Sequence, residues 1–488
     1  MPEYKTPGVY VEEISTLPAS IAPVATAIPV FIGYTADATR NGEDITDVPT
    51  RITSLLEYEQ WFGVAKNETF TLRVKDTTEE DADNPGTWLL QSREYEVTLP
   101  SESDYKMYYY IQMYFNNGGG PCYIVSVGGT AAGSPAKAAL LEGLQKCEME
   151  DEITLITIPE ANTLDPADAK ELYDAALAQC NKLQDRFVIM DVVTDSAQTV
   201  KEDGDDFRDD YVGSTYLKYG AAYYPQLETT INFAYDESAL KVNRTVNGAY
   251  AAAEDFDDAV ITLDAAPANQ DSLADIKETA TDAYAKLINE IRKIKVKLYP
   301  CSAIAGTYAR VDRDRGVWKA PANVSLRSVK APVALVSSEE QEDLNVDANS
   351  GKSINAIRNF AGKGILIWGA RTLAGNDNEW RYVPVRRFYI FVEESTKKAT
   401  EFVVFEPNDA NTWLRVKGMI ENFLVKLWRE GALAGAKPED AFFVKVGLGE
   451  TMTALDILEG RMNVEIGLAA VRPAEFIILK FSHKLQES

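Results

Sequence analysis

Cys122-Tyr123-Ile124-Val125-Ser126-Val127, Ile153 to Ile158 and Phe187-Val188-Ile189-Met190 are three short apolar runs, and what lies between them decides the fold. An Ala/Leu-rich stretch over about 135–147 and another from about Pro166 to Asn181 carry apolar residues at helical spacing. Strands that are apolar at every position, rather than at alternate ones, are buried on both faces. Separated by helices, such strands predict a parallel, doubly wound α/β sheet. Ala27-Ile28-Pro29-Val30-Phe31-Ile32-Gly33-Tyr34 upstream and Ala221-Ala222-Tyr223-Tyr224 downstream extend the same rhythm.

Outward from this centre the pattern changes. Residues 1–25 read as an extended arm, because Pro2, Pro7, Pro18 and Pro23 prevent a continuous helix while Gly8-Val9-Tyr10-Val11-Glu12-Glu13-Ile14 can form one short strand. Ser54 to Gly63 predicts a short helix ended by its glycine. Residues 64–106 turn polar and acidic and read as a surface insertion. Residues 228–297 read as an outer insertion subdomain that ends in a helix from Ser272 to Lys297. Pro300-Cys301-Ser302-Ala303-Ile304-Ala305-Gly306 reads as dense turns. A final α+β domain is expected over 353–488, leaving 26–63, 107–227 and 298–352 to the α/β domain. Its clearest element is a helix from about Ala410 to Glu430, capped by Asn408 or Asp409, with Trp413, Val416, Ile420, Phe423, Leu424 and Leu427 on one face. The last strand expected is Glu475-Phe476-Ile477-Ile478-Leu479-Lys480-Phe481.

Composition narrows the function. Hydrophobic content of 45% and charged content of 25% are globular values and exclude wholesale disorder. The net charge of −26 is uneven: residues 299–488 carry 25 basic and 24 acidic residues, so residues 1–298 hold a net of −27. An acidic surface of that size repels nucleic acid, and self-association meets least repulsion in the near-neutral part. No apolar run approaches the roughly 18 residues of a membrane span. MPEYKTPGVYVEE carries acids and prolines where a signal peptide needs a basic stretch and an apolar run, so synthesis in a cytoplasm is expected.

Catalytic and metal chemistry finds little to build on. His483 is the sole histidine, and a Ser/His/Asp or Cys/His arrangement would have to use it as base. Cys122, Cys147, Cys180 and Cys301 lack zinc-site spacing. Asp81-x-Asp83-x-Pro85-Gly86 has proline at a calcium-ligand position and Ser92 where the bidentate acid belongs. Gly351-Lys352-Ser353 ends like a phosphate-binding loop, but Val346 replaces its first glycine. Asp312-Arg313-Asp314-Arg315 and Arg386-Arg387 predict a structural ion-pair network. No catalytic, cofactor or metal site is therefore expected, and the protein is expected not to be an enzyme.

Several segments, in order, carry a family resemblance: Thr6-Pro7-Gly8-Val9-Tyr10-Val11-Glu12-Glu13; Ala305-Gly306-Thr307-Tyr308-Ala309-Arg310-Val311-Asp312; Gly316-Val317-Trp318-Lys319-Ala320-Pro321-Ala322-Asn323; Gly364 to Leu373; Phe405-Glu406-Pro407-Asn408; and Val471-Arg472-Pro473-Ala474-Glu475-Phe476. Together they resemble the sheath proteins of contractile phage tails and contractile injection systems. The resemblance implies a subtilisin-like α/β domain without a catalytic triad, and an inner α+β domain built from the N-terminal region and the C-terminal 130 or so residues. It implies a helical homopolymer, with or without paralogous sheath subunits, around an inner tube protein, with baseplate and terminator or cap proteins as further partners. Nucleic acid and membrane insertion are not expected. The implied place is a virion tail or a released extracellular particle assembled in a bacterial cytoplasm. A non-contractile shell or surface-layer protein and an α/β hydrolase are the alternative classes.

The two terminal strands are the candidate linkers. A lone short strand leaves N–H and C=O groups unpaired, and pairing with a neighbour's sheet satisfies them. On the helix near 410–430, Arg415, Lys426 and Arg429, with Asn422, project within a narrow arc and are the candidate inner-tube contact.

Overall fold

A computed structural model of the chain describes residues 21–80, 82, 83, 88–131, 133–246, 249, 250 and 271–478. Six strands, β1 (Pro29–Thr35), β2 (Cys122–Gly129), β3 (Leu155–Thr157), β4 (Phe187–Asp191), β5 (Gly220–Tyr224) and β6 (Ile354–Phe360), form the core of a nine-stranded sheet. They run parallel in the order β2-β1-β3-β4-β5-β6, so the chain reverses its direction of travel across the sheet at β1. Every residue of β1, β3, β4 and β5 is buried, which is why each reads as a continuous apolar run. Antiparallel strands close the edges: Thr50–Ile52 on β2, and β7 (Gly364–Ile367) followed by Val324–Ser325 beyond β6.

Helices cover both faces. Phe31 of β1 meets Tyr114 of α1 (Met107–Asn116) with ring centroids 5.2 Å apart. Its neighbour Ile32 lies against Gly143 of α2 (Lys137–Lys146). Successive side chains of a strand point to opposite faces, so α1 and α2 lie on opposite sides of the sheet. α2 packs with α3 (Pro166–Leu183), and α1 packs with α4 (Cys301–Arg315).

α4 corrects the expectation of turns over 300–306. Cys301 to Tyr308 are buried without interruption, so the helix shows no amphipathic period and its Pro, Gly and Ser residues imitate a loop. Gly306 is required by packing: a Cβ there would stand 2.5 Å from the Tyr114 carbonyl oxygen of α1. The helix begins where Cys301 N–H donates to Asp191 Oδ1 (2.8 Å) at the end of β4.

The expected 353 boundary is also corrected. β6 pairs in parallel with β5, Ala222 opposite Ile354, so residues 353–387 belong to the α/β unit Ala25–Arg387. The second compact unit begins at Phe388 and includes the described residues before Ala25, where Val24 N–H donates to Ser395 Oγ (3.2 Å).

The two expected insertions are one body. Strands Thr71–Glu80 and Trp88–Thr98, from the first, share a four-stranded sheet with Val242–Val246 and Ala249–Tyr250, from the second. Val242 pairs in parallel with Leu72, and Asp76 is clamped between Arg93 (2.9 Å) and Arg244 (2.6 Å) at the centre. The helix expected over Ser272–Lys297 is instead two, Leu273–Thr279 and Thr281–Lys293, broken at Ala280, whose backbone is non-helical (φ −142°, ψ 61°). Lys295–Leu298 then leaves as a strand paired with Leu227–Asn232.

In the second unit α5 (Val383–Thr400, from Phe388 on) and α6 (Ala410–Arg429) face each other through Phe391 and Phe423, ring centroids 6.0 Å apart. α6 packs on the hairpin of β8 (Phe442–Lys445) and β9 (Glu465–Leu468), between which lies the short helix α7 (Ala454–Leu458).

Candidate functional site

In an open α/β sheet the place for a ligand is the crevice beyond the carboxyl ends of the strands, where strand order reverses. A polar cleft of about 340 Å³ opens there, lined among others by Lys106, Tyr110, Asn162, Lys297 and Tyr299. Its groups are already engaged: Tyr110 Oη accepts from Tyr299 N–H (3.3 Å) and Asn162 Nδ2 (3.5 Å), and Lys106 Nζ bonds Glu102 (2.6 Å). Beneath it Asp191 is pushed up to about 7 and Glu160 to about 8, each chiefly by burial. The Cys301 thiol is raised, by burial first and by the adjacent Asp191 second, which is the reverse of an activated nucleophile. All four cysteines are buried and free. Among the described residues no cluster of His, Cys, Asp and Glu could hold a metal ion, and no helix is long and apolar enough to cross a membrane. His483 and Asp81 lie outside the described residues.

The charged motifs of this unit are structural. Asp312 and Arg387 form a buried pair (2.6 Å), to which Thr26 adds Oγ1 on Asp312 (2.6 Å) and its carbonyl under Arg387 (2.8 Å). The Arg386 guanidinium lies 4.4 Å from the Trp380 ring centroid. Lys352, of the loop that imitates a phosphate binder, is buried and spends its ammonium on the carbonyls of Arg208 and Val212.

Unpartnered surface concentrates in the second unit. Asp409 caps α6, accepting from the N–H groups of Asn411 and Thr412 (3.0 Å each), and Trp413 Nε1 donates to Asn408 (2.7 Å). The buried face of α6 holds Val416, Ile420, Phe423, Leu424 and Leu427, while Trp413 is half-buried. Arg415, Lys426 and Arg429 are exposed on the other side, and none forms an ion pair among the described residues.

Beside α6 runs an open groove of about 930 Å³, walled by α5 (Val392, Thr396), α6 (Val416, Ile420), the 403–408 segment and β9 (Ile466, Leu468). Tyr389 Oη donates to the Leu468 carbonyl (2.8 Å), which sets α5 alongside β9. Among the described residues β9 pairs only with β8, so its outer edge is open. The β8–β9 ladder continues one rung further, where Ala469 N–H donates to the Ala441 carbonyl (2.8 Å), and Val471 N–H then donates to the Ala432 carbonyl (3.2 Å).

Of the two expected terminal strands, Gly8–Ile14 lies outside the described residues, as does the second from Leu479. Glu475 to Ile478 is not in a strand, and Phe476, Ile477 and Ile478 are 71%, 79% and 79% exposed. Among the described residues, 475–478, no strand forms there. The groove went unread in the sequence, because it is assembled from four segments whose only shared signal is apolar residues.

Residues 375–484 match the family described as the phage tail sheath C-terminal domain. A stretch of 147 residues is 30% identical to the tail sheath protein of Burkholderia phage BcepMu, and one of 124 residues is 26% identical to that of Vibrio phage KVP40. The matches span 30% and 18% of those two proteins. The chain is similar over 99% of its length to the sheath of an extracellular contractile injection system, PVC, in its contracted state, at 30% identity over 99% of that chain and a TM-score of 0.62. The helical sheath of the anti-feeding prophage in its contracted state is likewise 30% identical, over 100% of its chain, with a TM-score of 0.61.

Proposed function

This chain belongs to the contractile sheath protein family, and from that we propose that it is a structural subunit that polymerises into a helical cylinder around an inner tube. Contraction of the cylinder would drive the tube through a target envelope, in a phage tail or an extracellular injection device. The observation that carries this reading is the likeness over nearly the whole chain to sheaths solved in the contracted state. We read the protein as structural rather than catalytic, its parallel-sheet unit as the counterpart of the subtilisin-like domain that the resemblance implies, and the single body formed by the two insertions as outward-facing. Its partners are further copies of itself, the tube protein, and baseplate and cap proteins.

The open edge of β9 and the groove beside it support β-augmentation between copies. A strand that adds about four ladder hydrogen bonds gains roughly 2–6 kcal/mol at 0.5–1.5 kcal/mol each. Apolar side chains as exposed as Phe476, Ile477 and Ile478 would be buried in the same event. Such a tether can hold while rigid units change packing, which a contracting polymer requires. We assign linker roles to Gly8–Ile14 and Glu475–Phe481, and a tube-facing role to Arg415, Lys426 and Arg429. Electron microscopy of the purified protein tests the function: hollow cylinders of uniform width are expected, and flat sheets or a persistent monomer would refute it. Removing residues 475–488 is expected to leave a folded monomer that forms no cylinders.

A further inference from the structure

Of the motif Asp312-Arg313-Asp314-Arg315, Asp312 enters the buried pair with Arg387, but Arg313 stays exposed, with its own neighbour Asp314 (3.2 Å) as ion-pair partner. It belongs to a group of three arginines gathered where α1 ends. Arg313 Nη1 donates to the Gly118 carbonyl (3.3 Å), and a Cβ on Gly118 would stand 3.0 Å from that of Arg310. The Arg327 backbone exchanges two hydrogen bonds with the Asn117 side chain (2.8 and 3.2 Å). The carbonyl end of a helix favours cations. Around Arg310, however, Arg313 and Arg327 are offset by the Asp314 carboxylate alone, and Arg310 is held below its ordinary value by burial first and by Arg327 second. Arg327 is exposed and forms no ion pair among the described residues. In a chain of net charge −26, this is a basic patch that its own surroundings do not neutralise.

The opposite face of the same sheet is acidic. Tyr223 of β5 shares a hydrogen bond between hydroxyls with Tyr308 of α4 (2.6 Å), whereas its neighbour Tyr224 donates to Asp203 (2.8 Å) of the helix Val200–Asp206. Consecutive side chains of a strand point to opposite faces, so α4 and this helix lie on opposite sides of the sheet. The helix runs on through Phe207–Tyr211 and packs on the helix Ser338–Asn345, where Arg208 donates to the carbonyls of Asp343 (2.7 Å) and Leu344 (3.0 Å). Asp209, Asp210, Glu339, Glu342 and Asp343 are exposed there, and none forms an ion pair among the described residues.

We propose that the arginine patch of one copy docks on this acidic face of the next. The inference rests on the polymer reading above and adds which two surfaces meet. One chain cannot bring its own patches together, because the sheet stands between them, so each is matched only by a second copy. For the same reason two copies cannot satisfy both contacts at once. The contact is therefore head-to-tail, and each added copy presents a fresh patch of the kind it covers. An acidic protein face fits the arginines better than nucleic acid does, since the charge of −26 repels the latter.

The test is a charge swap in the full chain. Arg313→Glu with Arg327→Glu is expected to raise the protein concentration needed for cylinders, read by sedimentation, by about tenfold to a hundredfold. Asp210→Lys with Glu342→Lys should do the same. The fourfold variant restores opposite charges across the contact with their signs exchanged, and should assemble near the unaltered concentration. A folding defect would add up in that variant rather than cancel, so its recovery is specific to the contact. Assembly of the unaltered protein should also weaken between about 0.1 M and about 1 M salt, as the screening length falls from about 10 Å to about 3 Å. Unchanged assembly of either double variant overturns the proposal. So does a loss that the fourfold variant fails to recover, which would give the arginines to another partner such as the tube protein. An unaltered protein that forms no cylinders would refute the polymer reading itself, whereas cylinders from it and from both double variants alike would sink this contact alone.

Discussion

Glu160 stands at the carboxyl end of β3, 1% exposed, with its carboxyl against Gly33 of β1 and near Met107 at the start of α1. Burial is the main cause that pushes it up to about 8; the N–H groups of Glu160 itself and of Tyr34 approach without reaching hydrogen-bond geometry and offset the shift only in part. In the unfolded chain the same carboxyl titrates near its ordinary value of 4.5. Between these values the folded chain holds a proton that the unfolded chain has released, so stability falls as pH rises through this window and levels off above about 8. A separation of about 3.5 units at 1.36 kcal/mol per unit makes the whole loss on the order of 5 kcal/mol. Glu160→Gln removes the titration. Its amide brings donors that lack partners, a constant cost of about 1–3 kcal/mol at every pH. The diagnostic is therefore the slope, not the level. Urea unfolding of the unassembled protein, for both forms at half-unit steps from pH 5 to 8.5, should show the wild type losing several kcal/mol more than the variant across the range. Asp191, pushed up to about 7, contributes a slope of the same sign in both forms and cancels in the difference. Parallel pH profiles for the two proteins would refute the reasoning.

Removing one partner of the buried Asp312–Arg387 pair, as Arg387→Met, is expected to cost about 3–5 kcal/mol in thermal or urea unfolding. The double variant with Asp312→Leu should recover much of it, because no uncompensated charge is left. Gly306→Val pushes a side chain into the Tyr114 carbonyl and should destabilise the protein by at least about 1–3 kcal/mol, measured by the same unfolding curves. Reversing the charges of Arg415, Lys426 and Arg429 together should weaken co-sedimentation with the tube, most at low salt. Unchanged docking across a salt series would remove these residues from the tube contact.

What could be read from the residues alone follows from how each signal is encoded. β1, β3, β4 and β5 are legible because a strand covered on both faces must be apolar throughout, and α6 because its one buried face repeats every 3.6 residues above an Asp409 cap. The absence of a histidine-based triad from all but the last residues, the acidic N-terminal half and the two apolar terminal segments are likewise properties of composition and order. α4 was hidden, since a helix buried all round has no period and Gly306 is set by contact with α1, nearly 200 residues away in the chain. The pairing of Val242 with Leu72 was hidden for the same reason: a parallel ladder is a long-range choice with no local mark. The terminal segments show both halves of the lesson. From the sequence alone, Glu475–Phe481 is expected to be a strand in need of a partner. Only the folded chain showed that, among the described residues, β9 pairs with β8 alone and Glu475 to Ile478 find no strand partner, because a pairing between distant segments leaves no local mark in the sequence.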